Sequence, residues 1–323
     1  MDVSVIVPIY NSQAYISKCL EALLAQTYKL ESYEVIVVDD GSTDKTADII
    51  KNYPVKYIYQ KNQGPATARN RGVKEAKGDI ILFTDSDCVP LSNWIEEMVR
   101  PFKSPDIAAV KGAYLTNQKE VIARLAQVEF EERFEMLKKA ESIDMVDTYS
   151  AGFRKAIFLQ MGGFDKTFPV ANNEDTDLSY RMSKHGFKMV FNPDAIVHHL
   201  KHPDSIKKYA RLKFWRGYWR MVVYKRFPDK MLKDSYTPQT LKLQILMLFL
   251  VMVFIPVAVI FPGFGRYLLC VTVLIFTLLL LPFIMLAIRK DPPVAVFAPF
   301  FLTMRAASLG AGMLWGILIS KKI

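Results

Sequence analysis

Histidine and cysteine are scarce in this chain, with four of the first and three of the second among 323 residues. Cys19, Cys88 and Cys270 are scattered, and no CxxC pair occurs. A disulfide framework and a Cys/His zinc site are therefore not expected. The Gly-rich G-x-G-x-x-G fingerprint is absent, which counts against a dinucleotide-binding domain. The opening "MDVSVIVPIYN" has an apolar run far too short for a secretory h-region, so no signal peptide is expected. Internal repeats and low-complexity linkers are missing as well.

Charge is missing from three long stretches. Leu243–Phe261 and Tyr267–Ile288 carry none, and Val294–Ile319 carries Arg305 alone. Each is close to the ~20 residues that cross a ~30 Å hydrocarbon core. Buried helices of a soluble core would be shorter and keep a polar face. Two to three transmembrane helices are the expectation for 241–323. Arg305 is costly there and should face other helices, a catalytic domain or a lipid phosphate. Ser308, Gly312 and Gly316 recur at four-residue spacing, which permits close helix packing within the chain or in a homo-oligomer.

The net charge is +10. It is concentrated just before the first apolar run, where residues 201–242 hold twelve Lys or Arg against three Asp. Residues 1–200 are slightly acidic, so a nucleic-acid partner is not expected. A basic collar at 205–240, interleaved with Tyr209, Phe214, Trp215, Tyr218 and Trp219, suits an anionic leaflet at ~1 kcal/mol per cation. The positive-inside rule then puts residues 1–240 on the cytoplasmic face of a multi-pass membrane protein. Three spans would leave Lys321 and Lys322 outside, against that rule. A re-entrant third segment, or a tail too weak to matter, resolves the conflict.

The first 90 residues alternate strand and helix. "VSVIVP", "YEVIVVDD", "VKYIY" and "DIILFTD" read as strands, with helical patterns between them. This is the signature of βαβ units and a parallel sheet covered on both faces. Ser42 or Thr43 is the expected N-cap of the second helix. Ligands bind beyond the carboxyl ends of such strands. Asp39, Asp40, Asp85 and Asp87 all lie there. Asp85 and Asp87 form a D-x-D, weak alone but stronger after a buried strand. A hard divalent ion holding a diphosphate would reconcile two like charges so close together. "GPATARNRG" sets Arg69 and Arg71 at a helix start, where anions are favoured. Glu174 and Asp175 in "NNEDTDL" suit either a general base or simple helix capping.

Six blocks, "VSVIVPIYNS", "VIVVDDGSTD", "NQGPATARNRG", "TDSD", "AGFRK…GGFD" and "EDTDLSYR", occur in order over residues 1–220. Together they closely resemble family 2 glycosyltransferases of the GT-A fold. The resemblance implies a Rossmann-like nucleotide-sugar-binding domain at 1–204 with a mixed, mainly parallel sheet, followed by a helical membrane region. It implies inverting transfer of one sugar from a nucleotide-diphosphate sugar, with Mg²⁺ or Mn²⁺ as cofactor. By position, Asp175 would be the base and Glu174 its orienting partner. Pro8, Tyr10, Asp39, Asp40, Arg69 and Asp85 would bind the donor. Asp87, with Asp85 and His198, would hold the metal, and a histidine of the His198–His199 pair could instead meet the diphosphate. Gly152, Phe153 and Arg154 would shape the acceptor side. Processive synthases of this superfamily carry Q-x-x-R-W; "RLKFWRG" stands here instead, which argues for a single transfer and leaves Arg211 and Arg216 as diphosphate candidates. Membrane spans and a basic collar point to a lipid-linked acceptor, a polyprenyl-diphosphate-linked glycan or a bare polyprenyl phosphate. A nucleotide-sugar-binding scaffold without catalysis is the remaining alternative.

Overall fold

The computed structural model describes residues 2–168 and 172–319. Lys321 and Lys322 lie outside the described residues. The chain divides into two compact units, one of 1–117 with 137–202 and one of 118–136 with 203–323. The division differs from the expected boundary at residue 204 in one respect. The helix around 121–137, read as part of the catalytic domain, groups with the apolar helices instead.

The first unit is an α/β layer structure. Its strands are β1 (Val3–Ile9), β2 (Tyr33–Asp39), β3 (Lys56–Tyr59), β4 (Ile80–Phe83), β5 (Cys88–Pro90), β6 (Ile107–Leu115), β7 (Ala151–Arg154) and β8 (Lys188–His199). Its helices are α1 (Ile16–Leu24), α2 (Thr46–Ile50), α3 (Pro65–Glu75), α4 (Trp94–Val99), α6 (Lys155–Gln160) and α7 (Glu174–Lys184). Between α4 and α6 in chain order, α5 (Val121–Leu137) belongs to the other unit. One eight-stranded sheet runs β3-β2-β1-β4-β7-β6-β8-β5. The first four strands are parallel; β7 is antiparallel to both its neighbours, and β8 is parallel to β6. The Val- and Ile-rich runs of β1, β2 and β4 are buried on both faces, as covering helices require. That burial aligns the ends of β1, β2 and β4, so the polar residues after Ile9, Val38 and Phe83 emerge along one edge.

Ser42 and Thr43 do not cap α2. Ser42 Oγ accepts from Asn11 N at 2.9 Å, and Thr43 N donates to Asn11 Oδ1 at 2.8 Å. Asn11 is in the left-handed region at φ 50°, and these bonds hold it there. The start of α2 is instead fixed by Asp44, whose Oδ1 accepts from Thr46 N at 3.0 Å. At the start of α3, Gly64 takes φ 89° and Pro65 follows at the first helical position.

The second unit consists of α5 with α8 (Ile206–Arg226), α9 (Pro228–Leu232), α10 (Gln239–Ile260), α11 (Pro262–Lys290) and α12 (Pro292–Ile319). The last three are long and apolar enough to cross a membrane. Phe276, Phe283 and Leu302 form a core with Val128 and Tyr209. In the middle of this apolar unit lies a fully buried carboxylate, Glu129. Tyr209 and Lys213 of α8 both donate to it, and Arg305 Nη1 of α12 donates at 3.2 Å. Arg305 Nη2 also donates to Gln244 Oε1 of α10 at 3.1 Å. Burial works to raise the Glu129 pKa, but Lys213, Arg305 and Arg133 outweigh it and hold the carboxyl well below its ordinary range. Arg305 is therefore paired inside the protein. Removing Glu129 leaves Lys213 buried without its anion and Arg305 with only Glu132, 3.9 Å from Nη1, so Glu129→Leu should destabilise by about 3–5 kcal/mol. A large fall in the melting temperature of the detergent-solubilised chain checks this; an unchanged value would mean the cluster contributes nothing.

Candidate active site

The edge beyond β1, β2 and β4 gathers most of the candidate residues. Pro8 sits near the end of β1, and Tyr10 is exposed just past it. Asp39 ends β2 and is fully buried. Its carboxylate accepts from Ser42 N at 2.8 Å and from Tyr57 OH at 2.7 Å. Burial, then the hydrogen bond to Asp39 and its charge, raise the Tyr57 phenol well above its usual range, so it stays a donor. Asp40 is occupied differently. Oδ1 accepts from Gln60 Nε2 at 2.7 Å and Gln63 N at 2.9 Å, and Oδ2 from Gly64 N at 2.8 Å. Three donors from one loop make Asp40 the anchor of the turn that starts α3.

That turn aims Arg69. Its side chain is 3% exposed, with Nη1 2.7 Å from Glu174 Oε1 and Nη2 2.9 Å from Asp85 Oδ1. The ring of Phe164 lies 5.8 Å from the guanidinium carbon. Arg69 thus ties the β4 edge to the first residue of α7. The planar fork of Arg suits two carboxylates at once, which Lys could not reproduce. Asp85 spends one oxygen on Arg69 and remains partly exposed.

Asp87 has a different partner. Its Oδ1 is 3.8 Å from His199 Nε2 across the β5–β8 pair. Burial raises the Asp87 pKa and Asp85 adds to this, while His199 opposes it. Asp87, Cys88 and His199 present ligand atoms within 4.8 Å of one another. A carboxylate and an imidazole aimed together fit a hexacoordinate divalent ion that keeps open positions. Of the two adjacent histidines, His199 is the one beside Asp87. His198 Nδ1 is buried with no partner among the described residues.

Asp175 occupies the first turn of α7, after Asn173 in the left-handed region at φ 66°. Its Oδ1 accepts from Thr176 N at 2.7 Å. Burial raises its pKa to about 7, with Glu174 and Asp147 adding to the rise and Arg69 opposing it. A carboxylate poised near neutrality is the form a general base takes. Two hydrogen bonds lock the neighbouring segment to this turn: Ser179 Oγ donates to Asp175 O at 2.7 Å and accepts from Val146 N at 3.0 Å. Next to Val146, Asp147 is paired with fully buried Lys111 of β6. Lys111 Nζ also donates to Tyr149 OH at 2.8 Å. Sequence reasoning missed Lys111, Asp147 and Tyr57. The signal for Lys111 was a single charge inside the otherwise apolar "IAAVKGAY".

Other candidates lie elsewhere. Antiparallel pairing sets Ala151 opposite Phe83 and Arg154 opposite Ile80, so Arg154 sits at the far end of β4 from Asp85. Its guanidinium donates to the carbonyls of Ile107, Phe102 and Ser104. Gly152 and Phe153 are buried in the sheet. Arg211 and Arg216 belong to α8, in the second unit.

The site thus sets a D-x-D at the edge of a GT-A sheet and ties it through Arg69 to the acidic start of α7. Residues 4–162 match the model for glycosyl transferase family 2. Glycosyltransferase AglE of Haloferax volcanii is 28% identical over 218 residues, 65% of this chain and 71% of AglE. A dolichyl N-acetyl-alpha-D-glucosaminyl phosphate 3-beta-D-2,3-diacetamido-2,3-dideoxy-beta-D-glucuronosyltransferase of Methanococcus voltae is 26% identical over 227 residues, 65% of this chain and 70% of that one. A poly(ribitol-phosphate) beta-glucosyltransferase of Bacillus spizizenii reaches 45% identity over 94 residues, but the chain spans only 15% of its length. Among solved structures, the mannosyltransferase PcManGT from Pyrobaculum calidifontis, in complex with GDP-Man and Mn²⁺, shares the fold at a TM-score of 0.63 and 19% identity. That match covers 99% of this chain and 88% of PcManGT.

Arg69→Lys keeps the charge but loses the fork, so one of Asp85 and Glu174 is left without its bond. Sugar transfer should fall about 100-fold, from a lost charge-assisted pair of about 2–3 kcal/mol. Steady-state kinetics with a folded, monodisperse variant checks this; near-normal kcat/KM would remove Arg69 from the machinery.

Proposed function

We propose that this protein is a membrane-bound inverting glycosyltransferase that moves one sugar from a nucleotide-diphosphate sugar to a lipid-linked acceptor. The observation that carries the reading is the placement of Asp175. It is a carboxylate with a pKa of about 7, one residue from Glu174, which Arg69 joins to Asp85. Inversion needs an in-line attack, with a base on one face of the sugar and a stabilised diphosphate on the other. Asp175 would take the acceptor hydroxyl proton on one face. Asp85 and Asp87 would face the donor on the other, with Tyr10 and Asp39 at the nucleoside.

The donor set at Asp87 and His199 would hold Mg²⁺ or Mn²⁺. When bound, such an ion neutralises charge on the departing diphosphate. Arg69 adds a fixed positive charge at the same edge and orients Asp85. Asp40 acts at one remove by holding the 60–64 loop, so its contribution is to the aim of α3.

A lipid-linked acceptor is favoured by the long apolar helices and by the dolichyl-phosphate-linked substrate in the name of the Methanococcus voltae relative. A polyprenyl-diphosphate-linked glycan is the leading acceptor and a bare polyprenyl phosphate the alternative. The catalytic unit would face the cytoplasm, where nucleotide sugars are made.

The test is a screen of nucleotide sugars with purified protein in detergent, with each lipid acceptor in turn. Turnover should stop with EDTA and return with Mn²⁺ or Mg²⁺. Asp175→Asn should lose at least ~10³-fold in kcat while still binding donor, because the base is gone and the pocket is not. Release without either lipid, or an active Asp175→Asn, would sink the reading.

The pH profile adds an independent check. The Asp175 carboxyl is raised, so it is protonated and inactive as a base below its folded pKa. The rate should therefore climb with pH through an apparent pKa near 7 and level above it. A profile flat from pH 5.5 to 8 would exclude Asp175 as the titrating base.

A further inference from the structure

The third apolar helix packs its backbone against the basic helix α8, and glycines make this visible. A Cβ on Gly217 of α8 would collide with the carbonyl of Leu309 in α12. One on Gly312 of α12 would collide with the carbonyl of Phe214, and one on Gly316 would lie 2.9 Å from Tyr218 O. The two backbones are in van der Waals contact over 214–221 and 309–316. Side chains extend the seam in both directions. Tyr209 and Leu302 share one core, Lys213 and Arg305 meet on Glu129, and Lys225 Nζ donates to Gly316 O at 3.2 Å. Apart from the crossed pairs 214 with 312 and 217 with 309, higher numbers on α8 meet higher numbers on α12, from 209 and 302 to 225 and 316. The helices therefore run side by side and parallel for about four turns.

Now α8 has eight Lys or Arg and no Asp or Glu in 21 residues. A helix of that composition cannot lie across a hydrocarbon core. Lys207, Lys208, Arg211 and Trp215 are exposed and share one face, the pattern of a helix lying in an anionic interface. A helix packed parallel to it for four turns has the same inclination to the bilayer. The exposed face of α12 fits that position. It carries Ala307, Ala311, Leu314, Trp315 and Leu318, all apolar and ending on a Trp anchor.

We propose that α12 does not cross the membrane. It lies in the headgroup interface beside α8, and the two form a bearing surface for an anionic bilayer, basic on α8 and apolar on α12. The chain then crosses twice, through α10 and α11. Asp291, between α11 and α12, returns to the α8 side, where Arg124 of α5 holds it with Nε 2.7 Å from Oδ2. An α12 that does not cross removes the conflict with the positive-inside rule. The glycine spacing of α12 is accounted for by α8 of the same chain. This inference stands apart from the reaction and does not depend on it.

The test uses the full chain with topology reporters. Green fluorescent protein fused after Ile323 should fluoresce, alkaline phosphatase at the same point should be inactive, and phosphatase inserted at Gly263 should be active. An active phosphatase after Ile323, or a silent one at Gly263, overturns the proposal. Depth is read separately, from a nitroxide on Ala307→Cys in a Cys270→Ser background, in vesicles containing anionic lipid. Ala307 is exposed at the middle of α12. A label at headgroup depth is the expected result, and a label at the hydrocarbon centre overturns it.

Discussion

The catalytic unit depends on one guanidinium. Arg69 joins two carboxylates from distant parts of the chain, Glu174 on one terminal nitrogen and Asp85 on the other. Without it, a buried Glu174 and an edge Asp85 would repel across a low-dielectric gap. The pair of bonds fixes where α7 starts relative to β4, and hence where Asp175 stands relative to the D-x-D. Everything upstream serves the aim of Arg69: Asp40 takes three donors from the 60–64 loop, and Gly64 and Pro65 let the chain turn straight into α3. A donor-site residue by resemblance is here also a structural clamp.

Paired like charges recur as a device for setting proton affinity. Asp87 is raised by burial and Asp85 but moderated by His199. Asp175 is raised by burial, Glu174 and Asp147 but moderated by Arg69. In both, a cation limits the rise. Lys111 has a related role one layer further in, since its pairing with Asp147 keeps that carboxylate in place beside the first turn of α7. Under the proposed function the tasks differ: Asp87 would face a metal ion, and Asp175 would hold a proton and let it go.

Much of this was legible in the sequence, and the reasons are specific. Strands buried on both faces leave continuous apolar runs, so β1, β2 and β4 and the polar edge beyond them could be read directly. The apolar helices were legible for the same reason. Contacts between distant segments were not. Nothing in "GPATARNRG" says that Arg69 spends its fork on Glu174, and nothing in "VDDGSTD" separates the two aspartates into a Tyr57 partner and a loop anchor. Arg154 illustrates the converse. It belongs to a conspicuous block, yet antiparallel pairing of β7 carries it to the opposite end of β4. Register, which a motif cannot encode, decided that. Lys111 gave a signal, a charge in a greasy strand, but its partner lay 36 residues away in an undistinguished loop.

The second unit obeys the same rule by other means. Glu129 is to α5, α8, α10 and α12 what Arg69 is to the sheet edge, a buried charge that several elements must converge to satisfy. Its partners Lys213 and Arg305 come from a strongly basic helix and an apolar one. An apolar segment that packs on such a helix for about four turns inherits that helix's limits. Length and hydropathy count residues one segment at a time, so they see 28 residues able to span. Packing binds the segment to a neighbour that cannot, and where the two disagree the costlier term, the charge, sets the outcome.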